Sequence, residues 1–111
     1  MKKENYYLEF HKKVGDDLLE IQNYIIDNFY DINAADRITN KLIKAFGDIV
    51  YSPESYQIID NDQLANDMVR IKKIKKYNIY YQIKSDTVVI LLVSSNRRSI
   101  TNIFNELLSR I

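Results

Sequence analysis

The spacing of apolar residues changes period three times along this chain, and each change marks an element. Tyr6, Leu8 and Phe10 alternate with their neighbours, which predicts an opening strand over residues 6–10. From Val14 the interval lengthens: Val14, Leu18, Ile21, Ile25 and Phe29 make one stripe of an amphipathic helix. Ala35, Ile38, Leu42, Ala45 and Ile49 make a second stripe. Asn33 is placed to cap that helix, and Asp36 to complement its dipole. It should stop by Ser52, because Pro53 disfavours helical backbone at the residue before it. A connection of about three or four residues would fold the two helices into an antiparallel hairpin.

Residues 54–67 are polar and acidic and read as a loop. Asp60, Asp62 and their neighbours suggest a calcium loop, but Ala65 stands where that motif requires Gly and Ile71 where it requires Glu. Beyond it the period returns to two. Val69 and Ile71 alternate with Arg70 and Lys72, and Tyr77, Ile79, Tyr81 and Ile83 alternate with Asn78, Tyr80, Gln82 and Lys84. Val88 to Val93 is apolar throughout, the pattern of a central strand covered on both faces. Lys84 to Thr87 is a turn, and Ile103, Phe104, Leu107, Leu108 and Ile111 mark a short final helix. The order predicts an α+β fold: an N-terminal strand, an antiparallel helical hairpin packed on a mostly antiparallel β-sheet, and a short C-terminal helix. No linker or repeat interrupts it, so residues 1–111 form a single domain.

Composition narrows the classes. With 46% apolar and 28% charged residues, the chain is an ordinary folded domain rather than a disordered one. The absence of Cys excludes a disulfide framework, thiolate metal sites and a cysteine nucleophile, and it fits the cytoplasm. The stretch Met1 to Asn5 starts positive but leads into no apolar run, and Val88–Val93 is far short of the roughly 20 residues of a spanning helix. Neither a signal nor a membrane segment is expected. The net charge of +1 is unevenly spread, and cutting the chain before Arg70 makes this visible. Residues 1–69 carry seven Lys/Arg against thirteen Asp/Glu, whereas residues 70–111 carry nine against two. The basic half should meet something anionic, unless the fold sets the two halves side by side to neutralise each other.

The candidate chemistry lies in that basic half. Arg70, Lys72, Lys73, Lys75 and Lys76 crowd the join of two strands, and Arg97 and Arg98 follow the central strand. If these strands neighbour one another, both clusters line one groove that would draw phosphate groups, with tyrosines nearby to stack on bases. The plainer reading is that lysines at a hairpin discourage edge-to-edge pairing and that strand tyrosines pack. The lone His11 has no partner in the sequence to make a catalytic pair and reads as a surface or capping residue. Gly15 and Gly47 both fall in helices, so there is no phosphate cradle, and no cofactor or metal is expected.

The arrangement resembles the RelE/ParE superfamily of toxins from bacterial type II toxin-antitoxin modules. Asp17 to Ile25 in the first helix and Ala45-Phe46 to Ser52-Pro53 at the end of the second carry part of the resemblance. Val69-Arg70-Ile71, Tyr77 to Tyr81, Val88 to Val93 and Arg97-Arg98 carry the rest. It implies a growth-inhibiting toxin, of a kind associated with plasmid stabilization, neutralised by a cognate antitoxin in a hetero-oligomer. RelE-like members are ribosome-dependent endoribonucleases that cleave mRNA, whereas ParE-like members bind DNA gyrase without known catalysis of their own. The long hairpin is similar to the ParE-like form, so gyrase inhibition is the expectation, with Arg70, Lys72, Lys73, Lys75, Lys76, Arg97 and Arg98 as the target-binding surface. The RelE-like alternative would use Arg70, Lys72, Arg97 and Arg98 on the scissile phosphate. Against it, Asn78 stands where that branch has Arg, and Phe104 where it has a functional Tyr. A third reading keeps the fold but makes the chain a non-toxic relative that only binds a partner.

Overall fold

A computed structural model describes residues 5–64 and 66–111. Met1 to Glu4, where no signal is expected, and Ala65, which disqualifies the calcium loop, lie outside the described residues. The elements follow in the order β1 (Tyr7–Phe10), α1 (Val14–Phe29), α2 (Ile32–Tyr51), β2 (Gln57–Ile58), β3 (Arg70–Ile74), β4 (Tyr77–Lys84), β5 (Thr87–Ser95) and α3 (Ile100–Arg110). The segment read as a loop therefore contains one further short strand, β2, and two single turns of 3₁₀ helix at Pro53–Ser55 and Asp62–Leu64. Two residues of strand are too few for periodicity to reveal.

The sheet order is β1-β5-β4-β3-β2. β1 lies parallel to β5, with Tyr7 opposite Thr87 and Phe10 opposite Ile90, and every other pairing is antiparallel. The apolar strand β5 is interior, as its sequence demands, while β4 occupies the middle of the five. One irregularity decides how the faces are covered. Tyr80 pairs with Leu92 and Tyr81 with Ile90, so Leu91 is an extra residue in β5. This bulge turns Leu91 and Leu92 to the same face, where they pack with Ile103 and Leu107 of α3. The other face carries Ile79, Tyr81, Val88, Ile90 and Val93 under the α1–α2 hairpin.

The hairpin departs from its sequence reading in four ways. Asp31, not Asn33, caps α2, its carboxylate accepting from the Ala34 N–H at 2.9 Å. Asp36 then falls beyond the first turn. Only Tyr30 and Asp31 separate the helices. Finally, Phe29 leaves the buried stripe of Val14, Ile21 and Ile25 and is 65% exposed.

Because β1 is shorter than β5, the edge of β5 lacks a strand partner past Ile90, whose carbonyl accepts from the His11 N–H at 2.8 Å. A buried ion pair completes that edge. Asp17 of α1 accepts from the Val93 N–H at 3.1 Å, and Arg110 of α3 donates to the Leu91 carbonyl at 3.0 Å. The two side chains bind each other at 2.6 and 2.9 Å and are almost fully buried. They join the helices of opposite faces around the end of the sheet.

Candidate functional site

The sequence expectation of two basic clusters meeting is met at the level of backbone. The β3–β4 turn, with Lys75 at φ 52°, lies beside the end of β5, and the Asn96 N–H donates to the Lys76 carbonyl at 2.8 Å. The side chains, however, divide between the two faces of the sheet. That is the correction to the single groove expected above. Alternation along β3 is the physical reason: Ile71 and Lys73 point one way, Arg70 and Lys72 the other.

On the hairpin face, Arg70 donates to the carbonyls of Tyr56 at 2.7 Å and Glu54 at 3.2 Å. Lys72 donates to the Tyr56 hydroxyl at 3.2 Å and lies 4.3 Å from the centre of its ring. Both cations thus hold the segment after α2 against the sheet. Arg97 turns to the same side further along, its guanidinium 3.4 Å from the ring centre of Tyr24 on α1.

On the α3 face, Lys73, Asn78 and Ser94 stand in one row across β3, β4 and β5. Lys73, Asn78, Tyr80, Asn96, Arg98 and Phe104 line a shallow cleft of about 260 Å³. That is below the usual range of small-molecule pockets, roughly 300–1,000 Å³. Ile59, Ile71, Ile100 and Ile103 line the rest of it, so the cleft sets two cations beside an apolar surface. Arg98 is drawn toward Glu106 of α3 at 3.4 Å, and both side chains stay about one-third exposed. Burial raises the Tyr80 phenol above its ordinary value, while the Asn78 hydrogen bond and the Arg98 charge oppose the rise. Tyr80 is therefore a neutral hydroxyl beside two cations.

The sequence reading missed Tyr80. The signal was present, since alternation along β4 sets it with Asn78 on the face opposite Tyr77, Ile79 and Tyr81. Lys75 and Lys76 rim the same end of the molecule, and contact with the Lys75 ammonium lowers Lys41 of α2 below the usual lysine value. Such crowding of cations from separate elements marks a place where an anion would be welcome. His11 takes no part. Its Nδ1 accepts from the Lys13 N–H at 3.1 Å just ahead of α1, but Lys13 is itself the N-cap position and no side chain caps the first turn, so His11 is not the cap. Among the described residues no group of three His, Cys, Asp or Glu could hold a metal ion, and no helix is long and apolar enough to cross a membrane.

Several solved structures share this fold. The chromosomal ParDE toxin-antitoxin system of P. aeruginosa superposes with a TM-score of 0.68 at 12% identity, covering 81% of this chain and 95% of that one. The toxin-antitoxin complex RelBE2 of Mycobacterium tuberculosis gives 0.59 at 22% identity, covering 85% and 94%. A mutant of the E. coli toxin RelE in the free state gives 0.57 at 15% identity, covering 96% and 98%. No curated protein sequence matches the chain. Residues 8–100 match the family model described as the ParE toxin of the type II toxin-antitoxin system, parDE. That match spans most of the domain, from β1 to the start of α3, and the chain belongs to the ParE family of type II toxin-antitoxin toxins.

Proposed function

We propose that this toxin arrests growth in the cytoplasm by binding DNA gyrase, and that a cognate antitoxin neutralises it in a hetero-oligomer. The observation that carries the reading is the division of the cations. A ribonuclease built on Arg70, Lys72, Arg97 and Arg98 needs all four on one phosphate, yet Arg70 and Lys72 are held along β3 by Tyr56 and Glu54, while Arg97 stacks on Tyr24 and Arg98 pairs with Glu106 beyond β5. The remaining cations, Lys73, Lys75, Lys76, Arg97 and Arg98, form a basic end suited to binding an anionic surface. Membership of the ParE family supports the same choice.

One observation favours the ribosome-dependent endoribonuclease as second reading. Tyr80 supplies a phenol beside Lys73 and Arg98, and a phenol can move a proton during phosphodiester cleavage. Titrating the purified chain against gyrase in a supercoiling assay, alongside sequencing of mRNA ends after its induction, separates the two. Blocked supercoiling with intact mRNA is expected. Cuts within ribosome-bound codons would replace the first reading by the second, and a folded chain that arrests no growth would leave only partner binding.

A further inference from the structure

The tip of the helical hairpin is an exposed apolar knob that the basic cleft does not account for. Phe29, Tyr30 and Ile32 are 65%, 89% and 64% exposed. The helix α1 passes Arg97 at Tyr24 and continues to Phe29, about 7.5 Å further at 1.5 Å per residue, so the tip extends beyond the residues that follow β5. Tyr30 adds a backbone argument. Its φ of 51° lies in the left-handed region, where Gly or Asn ordinarily ends a helix and a bulky side chain is disfavoured. Being almost fully exposed, the ring recovers nothing by packing within the domain. A side chain that strains the backbone and rests on nothing inside the molecule is matched to something outside it.

The surrounding charge indicates what that is. Asp27, Asp31 and Asp36 flank the knob, against Arg37, which lies 4.0 Å from Asp31. An acidic rim repels phosphates, so the occupant is a protein, with an apolar pocket bordered by Lys or Arg. Surfaces that handle DNA carry such cations, and a tyrosine is a favoured anchor for a pocket of this kind. We propose that the hairpin tip docks, with Tyr30 as its anchor, into an apolar pocket on the basic, DNA-handling surface of the toxin's protein target. The target's identity rests on the gyrase reading above.

Tyr30→Gly and Tyr30→Asn remove the ring while suiting the left-handed backbone, and Asp27→Asn with Asp36→Asn discharges the rim. Each is compared with the unaltered chain by thermal melting, by inhibition of gyrase supercoiling and by growth arrest. Both Tyr30 variants should melt at or above the original temperature yet need roughly tenfold or more protein to inhibit gyrase. The discharged rim should weaken inhibition and flatten its dependence on salt. Tyr30 variants that inhibit gyrase and arrest growth undiminished would overturn the proposal. So would a DNA duplex bound by the original chain and released by Tyr30→Gly, because the occupant would then be nucleic acid. Should the original chain leave gyrase unaffected, the gyrase reading alone fails. Growth arrest then decides for the tip: its loss in Tyr30→Gly supports docking, and its persistence overturns it.

Discussion

Arg70 reaches two backbone carbonyls on the segment after α2, and this makes a cation that looked functional in the sequence a fastener in the fold. Arg70→Met keeps the aliphatic stem but removes both hydrogen bonds. The expected loss is about 1–3 kcal/mol of stability in urea unfolding, with gyrase inhibition by the folded fraction unchanged; lost inhibition at full stability would return Arg70 to the binding surface. Asp17 makes the sharper case. Its carboxylate is buried against the Arg110 guanidinium and the Val93 N–H, so Asp17→Ala leaves a buried guanidinium with only the half-buried Glu106 and strands the Val93 N–H. Removing one member of such a pair typically costs about 3–5 kcal/mol, a large part of a small domain's total, roughly 5–15 kcal/mol. Denaturant unfolding should show most of the stability gone. A change below about 1 kcal/mol would mean that the pair is not what joins α1 to α3 around the β5 edge.

Burial along β4 predicts an alkaline limit to stability. Burial is the main cause that raises the phenols of Tyr77, Tyr80 and Tyr81 above the ordinary tyrosine value of 10.0. The unfolded chain therefore gives up these protons first, so the stability they contribute is complete below about pH 10 and is lost as pH rises through the folded values. Ultraviolet titration of tyrosinate should resolve a late-ionising group of tyrosines that merges with the rest in urea; simultaneous titration in the folded protein would contradict the burial. The same strand shows what the sequence could reveal. Period-two alternation set Ile79 and Tyr81 on one face, which the structure shows to be the hairpin face, and Tyr80 with Asn78 on the other, where its phenol borders the cleft. Alternation could not reveal the bulge at Leu91, because Val88 to Val93 is apolar at every position and a shifted residue leaves no mark. Nor could it reveal β2, which is too short to have a period. The α1 stripe extended correctly to Ile25 and failed at Phe29, where the helix outruns the sheet it would have packed on. Chain spacing records which side a residue is on, but not how far the opposing surface reaches.

At the scale of the whole molecule the charge asymmetry becomes a matter of position. Residues 1–69 build the hairpin together with β1, β2 and the segment that leads into β3, and residues 70–111 build the three long antiparallel strands and α3; the hairpin, with seven acids against three cations, is an acidic layer, and the part from β3 to α3, with nine cations against two acids, is a basic one. Only part of the basic layer is neutralised from within: Arg110 by Asp17 and Glu106, and Arg98 in part by Glu106. Lys73, Lys75 and Lys76 have no acidic partner among the described residues, and they lie at the end where the backbone brings the β3–β4 turn against Asn96. A partner recognised through this end should bind less tightly as salt rises, since exposed charges are screened over about 8–10 Å at physiological ionic strength. Lys73→Glu combined with Arg98→Gln reverses the sign of the cleft without touching the buried Asp17–Arg110 pair. The double variant should melt within a few degrees of the original, because exposed ion pairs contribute only about 0–1 kcal/mol, while inhibition of gyrase falls by an order of magnitude or more. Circular dichroism and the supercoiling assay read the two quantities separately. A variant that stays folded and inhibits undiminished at every salt concentration would place recognition wholly on the acidic layer, and so at the hairpin tip rather than the cleft.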